Sequence, residues 1–140
     1  MDKKTRVRAC MDRLPVDRPP FAFWHHYAGE DTKGKACVAA HKRFFDETNM
    51  DLLKLMADGY RDVSGGQTVR EPRDWDLVRV PQPGDPFFTE QLDRLCWSIE
   101  AIGDSAPVFY SMFSPYSFLR IVWGDELIDA HLCDPQARKH

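Results

Sequence analysis

Hydrophobic and polar positions along this chain alternate between helical and strand-like spacing. Residues 3–13 suit a short amphipathic helix. Pro15 and the Asp17-Arg18-Pro19-Pro20 segment end it, because proline cannot continue a helix and restricts the residue before it. Phe21-Ala22-Phe23-Trp24 is a short apolar run bounded by turn residues, the profile of a buried strand. His25 and His26 sit at its C-terminal end, and Gly29 breaks the chain. A helix from about Lys35 to Thr48 follows, with Val38, Ala39, His41, Phe44 and Phe45 towards one side. Met50 to Met56 reads as the second strand and runs into Ala57-Asp58-Gly59. From Tyr60 to Gly84 the pattern is that of a long loop, with room for a short strand at Leu77–Val80.

The strongest periodicity comes next. Phe88, Leu92, Leu95, Cys96, Ile99 and Ile102 form a helical stripe with one buried face, which Gly103 terminates. The stripe places Cys96 in the core as a small apolar residue. Pro107 to Phe113 is the third strand, and Ser114-Pro115 caps the helix after it. That helix breaks at Gly124 and restarts at Asp125-Glu126, acids suited to a helix N-terminus. Asp134-Pro135 looks like the opening of a further helix.

Strands alternating with helices predict a parallel sheet with helices on its faces, hence an α/β fold. Closing such a sheet into a (β/α)8 TIM barrel takes about 250 residues. The 140 residues hold about three strand–helix units after an N-terminal helix. The expectation is a partial TIM barrel, with residues 1–140 as the N-terminal portion of one domain.

Composition narrows the function classes. The chain is 43% hydrophobic and 29% charged with net charge −3, so no basic field points to nucleic acid or an anionic membrane surface. No apolar run approaches the roughly 18 residues of a membrane span, and the opening residues lack a signal peptide's apolar core. The expected compartment is the cytoplasm. Cys10, Cys37, Cys96 and Cys133 are far apart and form no CxxC, which argues against a disulfide framework or a zinc ribbon.

Candidate chemistry follows from the barrel expectation, since such sites lie at the C-terminal ends of the strands. Those ends are His25-His26, Asp58-Gly59 and Phe113-Ser114. Asp58 directly follows an apolar strand, so it suits anchoring a cation or proton transfer; a turn aspartate beside Gly59 accounts for it equally well. His26 joins Asp58 as a catalytic candidate; His25 and His26 are adjacent and point to opposite sides of an extended segment, so one of the two faces the site. No third ligand stands at a diagnostic spacing, so no metal site is expected within the chain. Trp24, His25, Tyr60, Phe113 and Tyr116 are the candidates for contact with a small-molecule substrate, although aromatic residues are more often core.

Several segments, taken in order, resemble the uroporphyrinogen decarboxylase family. They are Arg6-Val-Arg-Ala9, Asp17-Arg18-Pro19-Pro20 with Phe23-Trp24, and Asp51-Leu-Leu-Lys-Leu-Met-Ala-Asp58-Gly59. Pro107-Val108-Phe109, Phe113-Ser114-Pro115, Gly124-Asp125-Glu126-Leu127 and Asp134-Pro135 continue the likeness. The resemblance implies a TIM barrel and two branches of activity. One is cofactor-independent decarboxylation of a tetrapyrrole's acetate side chains, in which Asp58 matches the aspartate that contacts pyrrole N–H groups. The other is methyl transfer from a corrinoid, with zinc activating a thiol. True decarboxylases carry arginines after the first strand, whereas this chain has His26 and Glu30 there. Imidazole does not replace a bidentate arginine, and Glu30 repels an anionic substrate. The segment is more similar to the methyltransferase-type relatives, whose zinc ligands lie in later strands. Zinc, corrinoid or a corrinoid protein therefore enter only with a full-length barrel. The rival expectation is a non-catalytic remnant or partner-binding piece, self-associating through an open sheet edge.

Overall fold

The computed structural model describes residues 1–57, 69–78 and 82–136. The described elements are helices α1 (Lys3–Met11), α2 (Gly34–Thr48), α3 (Pro86–Ile102), α4 (Pro115–Trp123) and α5 (Asp125–Cys133), with strands β1 (Leu53–Leu55) and β2 (Val108–Tyr110). Short 3-10 helices span Gly29–Thr32 and Pro72–Leu77. This is a mixed α/β chain. Its contacts divide it into two compact units, Met1–Asp58 with Thr89–Ser111, and Gly59–Phe88 with Met112–His140.

In the first unit β1 and β2 pair in parallel, Leu53 opposite Val108, Lys54 opposite Phe109 and Leu55 opposite Tyr110. A parallel pair requires a crossover connection, and α3 lies in that crossover. The core joins Phe45 of α2, Met50, Leu53, Ile102 of α3 and Ala106, with Phe21, Ala22, Phe44 and Val108 packed against it. Leu53 and Val108 thus face the helices. Side chains alternate across a strand, so Lys54 and Phe109 project from the opposite face.

An ion network ties α1 to the start of β1. Arg6 donates to both oxygens of Asp17, at 2.7 Å each, and to Oδ1 of Asp51 at 2.6 Å. Arg18 donates to both oxygens of Asp51. Asp51 is fully buried and also accepts from the backbone N–H of Phe21 at 3.0 Å. Burial pushes the Asp51 carboxyl up, but the hydrogen bonds from Arg18, Phe21 and Arg6 outweigh it and hold it below the usual carboxylate range.

The expected first strand is absent: residues 21–28 are irregular. Pro19 and Pro20 have no N–H to give a ladder, and Phe21 gives its N–H to a side chain and its C=O to the N–H of Asp51. The expected helices form, α2 with Cys37, Val38, Ala40, His41 and Phe45 buried, whereas Ala39 is exposed.

The α3 stripe is the larger correction. Its buried residues are Arg94, Ser98 and Ile102, while Leu92 is 59% and Ile99 50% exposed, and Cys96 is exposed rather than in the core. At about 100° per residue, the apolar stripe is turned roughly a quarter turn from the buried face. Arg94 explains the rotation, because it donates to the carbonyl of Thr32 at 2.7 Å and lies 3.8 Å from Sγ of Cys37. All four cysteines are free.

In the second unit Ser114 caps α4 as expected, its Oγ accepting from the N–H of Ser117 at 3.2 Å. Gly124 separates α4 from α5 at φ +90°, a left-handed value that favours glycine. Leu77 closes a 3-10 turn rather than opening a strand, and residues 79–81 lie outside the described residues. Asp134 is the C-cap of α5, and residues 137–140, into which the expected further helix would run, lie outside the described residues. Among the described residues no helix is long and apolar enough to cross a membrane.

Candidate functional site

The face of the sheet turned from α2 and α3 and the segment 24–27 beside it form the candidate site. Lys54 interrupts an otherwise apolar run, and its Nζ lies 4.0 Å from the centroid of the Trp24 ring, within cation–π range. Trp24 is 56% exposed and Phe109 39% exposed, so two aromatic surfaces accompany one ammonium.

Beyond Trp24 the chain is held by aromatic packing on α2. His25 lies 4.1 Å from Tyr27 and 4.9 Å from Phe44 between ring centroids, and Tyr27 lies 4.5 Å from His41. The Tyr27 hydroxyl donates to the carbonyl of Ala40 at 3.2 Å. His25 and Tyr27 share a side, as alternation in an extended segment requires. His26 is exposed.

His41 closes the inner end of this stack and is 2% exposed. Its Nε2 accepts the backbone N–H of Met56 at 3.1 Å, just past the C-terminal end of β1. A backbone N–H can only donate, so Nε2 carries no proton. Nδ1 therefore carries it and donates to the carbonyl of Cys37 at 2.8 Å. The ring is held neutral in one tautomer and serves as a structural bracket between α2 and β1.

The residues expected from the sequence divide between the two units. Trp24, His25 and His26 belong to the first unit, and Asp58 and Tyr60 lie outside the described residues. Phe113 and Tyr116 belong to the second unit, where both are exposed. Tyr116 accepts from Nη1 of Arg120 at 2.5 Å and donates to Asp129 at 3.4 Å. Arg120 also pairs with Asp125 at 2.6 Å, which pulls that carboxyl below its usual range. An open depression of about 550 Å³ beside it is lined by Arg120, Trp123, Gly124, Asp125, Glu126 and Leu127.

Lys54 is not among the residues expected above, although a lysine inside Leu52-Leu53-Lys54-Leu55-Met56 is itself a signal. Among the described residues no group of three or more His, Cys, Asp or Glu side chains is placed to hold a metal ion. Comparison with protein-family models, curated proteins and solved structures finds no match for this chain.

Proposed function

We propose that this chain supplies the first strand–helix units of a uroporphyrinogen-decarboxylase-type barrel of the methyltransferase-like branch. The face of its sheet turned from α2 and α3 lines the ligand cavity. The observation that carries the reading is the division of β1 and β2 into a helix-covered face, Leu53 and Val108, and an opposite face on which Lys54 is half-buried and Phe109 39% exposed. In a (β/α)8 barrel the face opposite the helices is the interior. The convergence of Arg6, Asp17, Arg18 and Asp51 in one network adds support, because these residues come from three of the segments that carry the resemblance.

In this reading Trp24 is a cavity wall and His26 a mouth residue, and Asp58, which lies outside the described residues, has the central role that the resemblance implies. Glu30, which stands where the decarboxylase branch has an arginine, is exposed and lies 3.6 Å from Lys33. The described residues do not assemble a zinc site, and zinc is assigned to none of them. Alone, the chain is proposed to bind rather than turn over, since the two strands among the described residues leave a barrel mouth unbuilt.

A second reading, a non-catalytic partner-binding piece, draws on the exposed Leu92 and Ile99 of α3. Equilibrium dialysis of the purified chain against methylcobalamin and against uroporphyrin separates the readings. Retention of methylcobalamin that Trp24→Ala abolishes is the expected result. Preferential retention of uroporphyrin returns the decarboxylase branch. Retention of neither, with an oligomer that Leu92→Glu dissolves, selects the partner-binding piece.

A further inference from the structure

Lys54 is chemically out of place. Strands of parallel sheets read as near-continuous apolar runs because both faces are normally covered. Lys54 is the centre of β1, half-buried, with Leu53 and Leu55 fully apolar on either side. No carboxylate pairs with it among the described residues. Asp51, three positions earlier, is saturated by Arg6, Arg18 and the N–H of Phe21. The Lys54 ammonium rests instead on the face of Trp24, with Phe109 as its partner across the ladder.

A half-buried cation beside two exposed rings lacks one thing, an anion whose own body is flat and apolar. We propose that this face binds a planar, conjugated small molecule carrying a carboxylate. The carboxylate accepts from the Lys54 ammonium, and the ring system lies against Trp24 and Phe109. One ammonium carries one positive charge, which balances a monocarboxylate and leaves the extra negative charge of a phosphate or a polycarboxylate uncompensated. Aromatic contact supplies area, and the ion pair supplies orientation. The face is the one used in the proposed function, and the inference rests on that reading only in treating it as a cavity wall; the carboxylate is a ligand distinct from the corrinoid, whose side chains are amides.

The test is equilibrium dialysis of the full chain against 2-naphthoate and its uncharged counterpart 2-naphthylmethanol. The expected result is a preference of about tenfold or more for the carboxylate, the effect of one charge-assisted hydrogen bond. Lys54→Met should erase the preference and Lys54→Arg should retain it. Equal affinity in the wild-type chain, a preference that survives Lys54→Met, or no binding of naphthoate overturns the proposal. Should Lys54→Met fail to fold by circular dichroism, salt dependence in the wild type decides. Affinity for naphthoate that falls with salt, while that for the alcohol does not, supports it, and equal responses overturn it. Because neither probe is a corrinoid, failure of methylcobalamin binding with naphthoate selectivity intact removes only the methyltransferase reading. The reverse outcome removes only the carboxylate class.

Discussion

The backbone N–H of Met56 donates to Nε2 of His41, 15 residues earlier on α2, and so a helix side chain takes the donor that follows β1. This bond sets the tautomer of His41 and carries α2 against the strand whose end lies next to the candidate site.

Replacing His41 by Phe keeps the ring volume but leaves the Met56 N–H buried without an acceptor. The expected cost is about 1–3 kcal/mol. His41→Gln, whose amide oxygen can accept, should recover part of it. Urea unfolding followed by circular dichroism measures both; a Phe variant as stable as wild type would remove the bracket role.

Asp51 makes stability depend on acid. Its carboxyl lies below the usual range in the folded chain, so its contribution is fully present above the unfolded value, about 3.9. That contribution is lost as pH falls through the lower folded value, and Asp17, held low chiefly by Arg6, acts in the same direction. Asp51→Asn leaves Arg6 and Arg18 without their shared carboxylate and should cost about 3 kcal/mol. Its melting temperature should also fall less steeply than that of wild type between pH 5 and pH 2, as thermal melts across that range would record.

The outward stripe of α3 predicts self-association. Leu92→Glu with Ile99→Glu should change folding stability by no more than about 0.5 kcal/mol, since both residues are exposed. The same pair should abolish any concentration-dependent increase in mass seen by sedimentation equilibrium. A large loss of stability would instead mean that the stripe is covered within the folded chain.

In the second unit Nε1 of Trp75 donates to Nδ1 of His131 at 2.7 Å, and His131 is 8% exposed. Trp75→Phe keeps an aromatic ring there but removes the donor, with an expected loss of about 1 kcal/mol. The comparison of interest is with Trp97→Phe, which exchanges the indole contacted by the Lys35 ammonium at 5.5 Å for a smaller aromatic ring and should cost less. Chemical denaturation of the two variants ranks them.

Local chemistry determined the helices. Proline boundaries, the Ser114-Pro115 cap, Gly124 and the apolar spacing of residues 34–48 and 86–102 are short-range signals, and each element lies within a few residues of its expected place. The α/β class was legible for the same reason, as was the parallel sense of the two strands. Long-range pairing decided the rest. Residues 21–24 have a strand's composition, yet Asp51 captures the backbone of Phe21 and no strand forms. α3 carries a clear apolar stripe, yet Arg94 reaches Thr32 and turns that stripe outward. Periodicity reports which face of an element is apolar, but a buried charge with directional partners sets which face turns inward. The ladder register that places Lys54 with Phe109, and the ring of Trp24 beneath the Lys54 ammonium, likewise join residues distant in sequence, and only the tertiary structure brings them together.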